Sequence, residues 1–296
     1  MTRVAAIDCG TNSVRLLIAD VEGDTLTDVT RRMEIVRLGQ GVDKTGMLAP
    51  EALERTFAAM RGYAAEILDE GAVKTRVVAT SATRDAGNRD VFVDGVRAIF
   101  GVEPEVVTGA AEAALSFNGA VRGISDPPGP YLVVDIGGGS TEFVVGSSEV
   151  KGAVSMDIGC VRLTERHDGD FAAMRADVDA ALAVVADTVP VRDARTLVGL
   201  AGSVTTVAGI ALDLPFYDSE KIHHSRISAA DVHEVTDRLL RMTREERAAI
   251  PVMHPGRVDV ICAGALILDG IVRDFGFTEV VVSEHDILDG IAWSLT

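Results

Sequence analysis

Two short runs of the chain present nearly the same set of chemically capable residues. One is Asp8-Cys9-Gly10-Thr11-Asn12-Ser13 near the start, the other Asp135-Ile136-Gly137-Gly138-Gly139-Ser140-Thr141-Glu142 in the middle. In each, an apolar run ends on an aspartate, turns through glycine and hydroxyl residues, and re-enters an apolar run (Val14 to Ala19; Phe143 to Val145). The pattern predicts a β-hairpin whose turn holds phosphate. Small residues let successive backbone N–H groups converge on an oxyanion, and an aspartate at the strand end can hold a divalent cation beside it. One such run reads as an ordinary turn; two in the same strand frame predict duplicated half-sites facing each other across a cleft.

The elements around these turns follow from hydrophobic period and punctuation. Strands are expected at Val4–Asp8, Val14–Val21, Asp28–Leu38, Thr75–Thr80 and Pro104–Thr108, and helices at Pro50–Glu70, Val91–Phe100 and Ala110–Val121. Pro50 and Gly71 are start and stop signals for the first helix. Asp126-Pro127-Pro128-Gly129-Pro130 reads as a linker, directly before the second turn. Beyond it, strands are expected near Tyr131–Asp135, Glu142–Gly146, Gly152–Asp157 and Thr196–Leu200. Helices follow near Asp170–Thr188, Ser203–Ala211, Ser228–Met242, Thr243–Ile250, Arg257–Phe275 and His285–Leu295, with capping boxes at Ser228/Asp231 and Thr243/Glu246. The expected architecture is α/β: two related lobes, each a mixed sheet flanked by helices, with the active site in the cleft between them. The lobes are expected at 1–124 and 125–284, with the last helix, 285–296, crossing back to the first.

Composition sets the outer bounds. The 296 residues, 47% hydrophobic and 25% charged, suffice for two domains with sizeable cores. No apolar run approaches about 20 residues and no leader pattern precedes the first strand, so the expectation is a cytoplasmic protein without membrane partners. Cys9, Cys160 and Cys262 are isolated from one another, which argues against a disulfide framework or a zinc site. A formal net charge of −17 argues against nucleic-acid binding. A polyanionic substrate is still admissible, because distant charges are screened beyond roughly 8–10 Å and a phosphate can be held by local N–H groups, arginines and a cation.

Five elements occur in order: Asp8-x-Gly-Thr-Asn-Ser, Ala79-Thr-Ser-Ala-x-Arg84-x-Ala86-x-Asn88, Gly109-x-x-Glu112-Ala113, Asp135-Ile-Gly-Gly-Gly-Ser-Thr-Glu142 and Gly199-x-x-Gly202-Ser203-x-Thr205-Thr206. Together with Arg257-x-Asp-x-Ile-x-Ala-Gly264, this set resembles the exopolyphosphatase/guanosine pentaphosphate phosphohydrolase (Ppx/GppA) family, short two-domain type, within the actin-like ATPase and sugar-kinase superfamily. The resemblance implies actin-like, ribonuclease H-like lobes. It also implies roles. Glu112 corresponds to the family's general base and Arg84 to its phosphate-contacting arginine. Asp135 and Glu142, seven positions apart across a turn, correspond to the metal-associated acids, with Asp8 as the equivalent acid of the first lobe. Mg²⁺ is the expected ion, another divalent cation the alternative, since hard oxygen ligands suit it. Gly137, Gly138, Ser140 and Thr141 are expected to donate to the reacting phosphate, with Thr11, Asn12 and Ser13 opposing them. Gly202 and Ser203, opening a helix, are expected to hold a further phosphate. One departure stands out: many relatives have an acid where this chain has Ala111.

The function this implies is metal-dependent release of terminal orthophosphate from inorganic polyphosphate. The alternative within the family is removal of the 5′-γ-phosphate of guanosine pentaphosphate, and the partners expected are polyphosphate or guanosine penta- and tetraphosphate. An ATP-using kinase is disfavoured by the Glu112 element and Asn12-Ser13. A non-catalytic regulator that binds polyphosphate or alarmones is the reading of another class, to which Ala111 lends support. Homodimerisation is expected from the resemblance. Lys221, His223, His224 and Arg226 form a local basic cluster, a candidate track for the rest of a polyphosphate.

Overall fold

Alternate residues of the first strands are buried on both of their faces, which requires a sheet covered on two sides. In the computed structural model, which describes residues 1–23, 25–124 and 127–296, that sheet has the order β3-β2-β1-β4-β5. Its strands are β1 (Thr2–Cys9), β2 (Ser13–Glu22), β3 (Thr25–Ile35), β4 (Lys74–Ala79) and β5 (Glu105–Val106). The first three run antiparallel in a meander, and β4 and β5 join in parallel. Ala5, Ile7, Val14, Leu16 and Ile18 face a core shared with the Pro50–Glu70 and Arg89–Phe100 helices. Val4, Ala6, Leu17 and Ala19 face the other way, onto Ile287, Leu288 and Ile291 of the final helix, Ile287–Trp293. By strand parity Asp8 lies on this second face.

The C-terminal helix is therefore part of the first folding unit. That unit comprises Met1–Gly119 with Ile287–Thr296, and the second is Ala120–Asp286. The division falls in the last turn of the Gly109–Val121 helix rather than in the proline-rich stretch. Asp126, the first residue of that stretch, and Ser125, at the expected boundary, lie outside the described residues.

The second unit repeats the scheme. Its strands are β6 (Tyr131–Ile136), β7 (Thr141–Gly146), β8 (Val150–Met156), β9 (Thr196–Leu200), β10 (Arg226–Ser228) and β11 (Glu279–Val282), in the order β10-β11-β9-β6-β7-β8. Again a three-strand antiparallel meander, β6-β7-β8, is joined by parallel strands, here β9 and β11, with β10 antiparallel at the edge. Leu132, Val134, Ile136 and Phe143 anchor a core with the Phe171–Thr188 and Ile261–Phe275 helices. This is the α/β architecture of two mixed sheets flanked by helices that the sequence predicts. Two strands and four short helices among the described residues were not anticipated: β10, β11, Val42–Thr45, Ser81–Asp85, Cys160–His167 and Ser219–Ile222. The expected third strand also ends early, at Ile35 instead of Leu38. Its remaining residues are drawn off because the N–H groups of Val36, Arg37 and Gly39 bond the carbonyls of the first phosphate-type turn.

Candidate active site

The doublet folds as two copies of one turn. In the first, the Gly10 N–H donates to the Ser13 carbonyl at 2.9 Å; in the second, the Gly137 N–H donates to Ser140 at 3.0 Å. What orients each turn is the disposal of its other carbonyls. Asn12 O accepts from Val36 and Arg37 N–H at 3.1 and 2.9 Å, and Thr11 O from Gly39 at 2.8 Å. A side chain at Gly39 would come within 2.3 Å of the Thr11 methyl group, so this close approach requires glycine. In the second turn a helix start does the same work: Cys160 N–H bonds Gly137 O at 3.0 Å, and Val161 and Arg162 N–H bond Gly138 O at 2.9 and 3.1 Å. The Arg162 side chain adds a 2.6 Å bond to Gly139 O. Gly159 lies so near Gly138 that an added Cβ would sit 2.4 Å from its carbonyl oxygen. With their carbonyls fixed from behind, such turns offer N–H groups as the anion-binding concavity.

The aspartates before the turns differ in what stands opposite them. Arg15 pairs across the strands with Asp8, and its Nε and Nη2 donate to Asp8 Oδ2 at 3.0 and 2.7 Å. Glu142 pairs across with Asp135. Directly opposed residues of antiparallel strands have Cβ atoms about 4.5–5.5 Å apart. Asp135 and Glu142, 7% and 1% exposed, therefore set two carboxylates side by side out of water, a costly arrangement unless a cation or a proton intervenes. Ser155 Oγ donates to Glu142 Oε1 at 2.7 Å and orients it. Among the described residues no three His, Cys, Asp or Glu side chains form a complete metal cage. Two hard carboxylate ligands with the rest supplied by water and phosphate oxygens is how Mg²⁺ is ordinarily bound, so the donor set fits it. Asp8 differs from that pair in its neighbour: its Oδ2 is already bonded by Arg15, a residue the sequence reading passed over.

Glu112 sits in the first turn of the Gly109–Val121 helix, which Thr108 helps to open by accepting the Ala111 N–H. It is buried, and its Oε2 accepts from Arg84 Nη1 at 2.9 Å. The same nitrogen donates to Val107 O at 3.1 Å, so one guanidinium ties the acid to the strand edge. Ala111 is exposed where Glu112 is buried, which puts the missing acid on the outer side of that turn. Asn88, quoted above in the Arg84 element, is a clamp: its amide exchanges two hydrogen bonds with the Leu48 backbone at 2.8 and 3.0 Å.

Other residues take structural places. Thr141 is fully buried and donates its hydroxyl to Ile158 O at 2.5 Å, so it is not a free donor to phosphate; Gly138 and Ser140 remain. Thr11 is buried, while Asn12 and Ser13 are half-buried, with the Asn12 Oδ1 lacking a partner among the described residues. Ser203 packs inside the second unit, where a Cβ on Gly264 would fall 2.2 Å from its hydroxyl. Gly202 makes room for Arg257, whose Nη1 occupies the point 0.9 Å from where a Cβ would be. Arg257 thus lies over the start of the Ala201–Ala211 helix, a second arginine the sequence reading named only within a motif. Burial pushes the thiols of Cys9, Cys160 and Cys262 up, which disfavours a thiolate nucleophile. His167 bonds Asp177 at 2.8 Å across neighbouring helices. Among the described residues no helix is long and apolar enough to cross a membrane.

The chain is similar to known proteins along its length. The description of the Ppx/GppA phosphatase family matches residues 17–296. Exopolyphosphatase 2 of Mycobacterium tuberculosis is 50% identical over all of this chain and 99% of its own length. The guanosine-5′-triphosphate,3′-diphosphate pyrophosphatase of Aeromonas salmonicida is 30% identical over 98% of this chain and 59% of that protein. The crystal structure of the Aquifex aeolicus Ppx/GppA family member superposes with a TM-score of 0.82 at 28% identity, covering 99% and 98% of the two chains. With the doubled turn, the paired acids and these relatives together, the chain belongs to the Ppx/GppA phosphatase family.

Proposed function

We propose that the protein is an exopolyphosphatase, hydrolysing terminal orthophosphate from inorganic polyphosphate. The observation that carries this reading over its guanosine pentaphosphate alternative is the 50% identity, along the whole chain, to a protein named exopolyphosphatase. The site supports it chemically. Glu112 accepts a proton from water as the water oxygen attacks the terminal phosphorus; the bridging P–O bond breaks and its electron pair leaves with the shortened chain. Arg84, bonded to Glu112, holds the carboxylate in place and adds positive charge where the phosphoryl group gathers negative charge. The N–H groups of the glycine turn beside Asp135 bind the phosphate oxygens. Asp135 and Glu142 are the residues that would hold Mg²⁺, which when bound neutralises phosphate charge and polarises the phosphoryl oxygen. Arg257, at the positive end of a helix, is electrostatically suited to a further phosphate of the chain. Buried free cysteines agree with a reducing compartment.

A phosphate-release panel tests this, with and without Mg²⁺, over short and long polyphosphates, guanosine pentaphosphate and ATP. Release from polyphosphate that exceeds release from guanosine pentaphosphate is expected. Turnover of guanosine pentaphosphate alone would move the protein to the other activity, and binding without release of any phosphate would make it a regulator.

The general base has a mechanical dependence on the chain's end. A Cβ on Gly290 would lie 2.1 Å from the carbonyl oxygen of Leu115, one turn beyond Glu112 on the same helix. Backbone cannot step aside as a side chain can. Gly290→Ala is expected to cost about 1–3 kcal/mol of stability through overpacking. It should also lower kcat more than it raises KM, because the helix it displaces carries Glu112. Urea unfolding and steady-state kinetics read the two effects separately.

A further inference from the structure

The histidines that the sequence groups with Lys221 and Arg226 form a stack rather than a charged track. Lys221 pairs with Asp218 at 3.2 Å and Arg226 with Glu279 at 3.5 Å, which leaves little open charge for a polyanion. His223 stacks on His224 with ring centroids 3.7 Å apart, and its ring lies 4.4 Å from that of His285. His223 closes the short helix Ser219–Ile222 by donating its N–H to Ser219 O at 2.8 Å. His224 is held at φ +60°, a left-handed conformation that favours glycine, by a 2.7 Å bond from its N–H to Val282 O at the end of β11. A histidine kept where glycine is the easier residue points to a role for its ring.

The stack fastens the segment that follows β11. Glu284 N–H donates to His223 Nδ1 at 3.2 Å, and Ser283 Oγ donates to His285 O at 2.8 Å while accepting the His285 N–H at 3.0 Å. The Tyr217 hydroxyl bonds Glu284 Oε1 at 2.6 Å and Thr205 Oγ1 at 2.8 Å. Burial, with Glu284 beside it, pushes the Tyr217 phenol up, so it stays a donor. Two residues beyond Glu284 is Asp286, 3% exposed and the last residue of the second unit. Ile287 then opens the final helix, which belongs to the first unit and whose Gly290 closes on Leu115, one turn beyond Glu112.

We propose that His223, His224 and His285 form a proton-sensitive strap that holds the entry to the final helix, and through it the Glu112 helix, only while the imidazoles are neutral. The proposal rests on the exopolyphosphatase reading for the site it regulates. His223 Nδ1 accepts from Glu284 only when it carries no proton. Protonation ends that bond, and a second proton sets like charges against each other within the 3.7 Å stack. Around the stack, Lys221 and Arg226 are paired with Asp218 and Glu279, the Glu284 carboxylate takes the Tyr217 hydroxyl, and Asp286 lies in the segment being held. His285 is the neighbour that bears on His224: partial burial, and then His285, push the His224 pKa below its usual value. A depressed histidine pKa contributes stability that is present above about 6.5 and is lost as pH falls through the lowered value. The strap is therefore closed at neutral pH and opens in acid. Covalent continuity carries the change onward, since the released segment runs without a break into the helix that backs Glu112.

The test is the pH profile of phosphate release and of amide hydrogen exchange, in the full chain and in His223→Asn/His224→Gly. Asparagine offers Glu284 an oxygen that no proton blocks, and glycine suits φ +60°. In the parent, kcat is expected to fall by up to about tenfold between about pH 7.5 and about 5.5 with KM changed little, since one unit of pKa shift carries a factor of ten. Exchange at residues 284–286 and in the final helix, corrected for its intrinsic pH dependence, should quicken over the same range. The double variant should keep the parent's kcat at neutral pH and lose both the acid fall and the acid loosening. His285→Gln removes the ring that opposes charge on His224 and should reduce the acid fall without abolishing it. Acid loosening that the double variant abolishes, in a protein that releases no phosphate, would keep the strap and remove the hydrolase reading. An acid fall in phosphate release that is the same in the parent and both variants, or exchange at residues 284–286 that ignores pH, would overturn the strap.

Discussion

Glu112→Gln is expected to lower the rate of phosphate release by about 10²–10⁴-fold, the range over which a positioned general base acts, with KM changed little. Glutamine keeps the size of the side chain and an oxygen that can accept from Arg84 Nη1, now 2.9 Å from Glu112 Oε2. What it removes is the ability to take a proton from water. A fall in kcat with an intact fold and intact substrate affinity identifies proton transfer; a fall that comes wholly through KM would instead assign Glu112 to binding. The rival account is that Glu112 is only the structural partner of Arg84, buried and paired to hold the strand edge together. That account predicts a loss of stability with activity preserved in the folded fraction. Single-turnover phosphate release, alongside urea unfolding, distinguishes them, because the first measures chemistry per folded site and the second does not.

How much of this was legible before the structure depends on the range of the interactions involved. Both turns were readable because a hairpin is local: aspartate, glycine and serine recur at the same intervals, and the Gly10–Ser13 and Gly137–Ser140 bonds close within four residues. The valine run of β11, Val280–Val282, has the apolar β-branched character of a strand, although the sequence analysis names none between the two helices that flank it. What a hairpin cannot announce is its backing. Val36, Arg37 and Gly39 end β3 early because their N–H groups serve a turn more than twenty positions upstream, an outcome decided by tertiary hydrogen bonding. Thr141 looked like one hydroxyl among several in a phosphate turn; its partner, Ile158 O, belongs to a segment after β8 that sequence does not bring near.

The most consequential omission was Arg15. Composition alone makes Asp8 and Asp135 equivalent, and it is the cross-strand partner that separates them. Counting the register outward from each turn would have found it: Ser13 and Ser140 end the turns, and two positions on stand Arg15 and Glu142. One hairpin thereby carries an internal ion pair and the other a pair of like charges. In the first, Arg15 already offsets the acid's charge; in the second, a cation would do so.

That difference yields opposite responses to the same kind of substitution. Asp135→Asn or Glu142→Gln is expected to cut Mg²⁺-supported phosphate release by about 10²–10³-fold, the loss of several kcal/mol of charge stabilisation. The same variants, in the absence of divalent ions, are expected to be no less stable than the parent and up to about 1 kcal/mol more stable, since opposed like charges are removed. Asp8→Asn has the reverse signature. It breaks the bonds to Arg15 and leaves a partly buried guanidinium without its carboxylate, so stability falls whether or not Mg²⁺ is present. Thermal unfolding with increasing Mg²⁺ reads this without any assay of turnover. A ligand that binds only the folded state adds about 2.7 kcal/mol at 100 times its Kd, so the parent and Asp8→Asn should both gain stability with the ion, and Asp135→Asn should not. Equal Mg²⁺ stabilisation of the parent and Asp135→Asn would take the ion away from the second hairpin. Its loss in Asp8→Asn alone would move it to the first, against the charge pairing that the two strand registers impose.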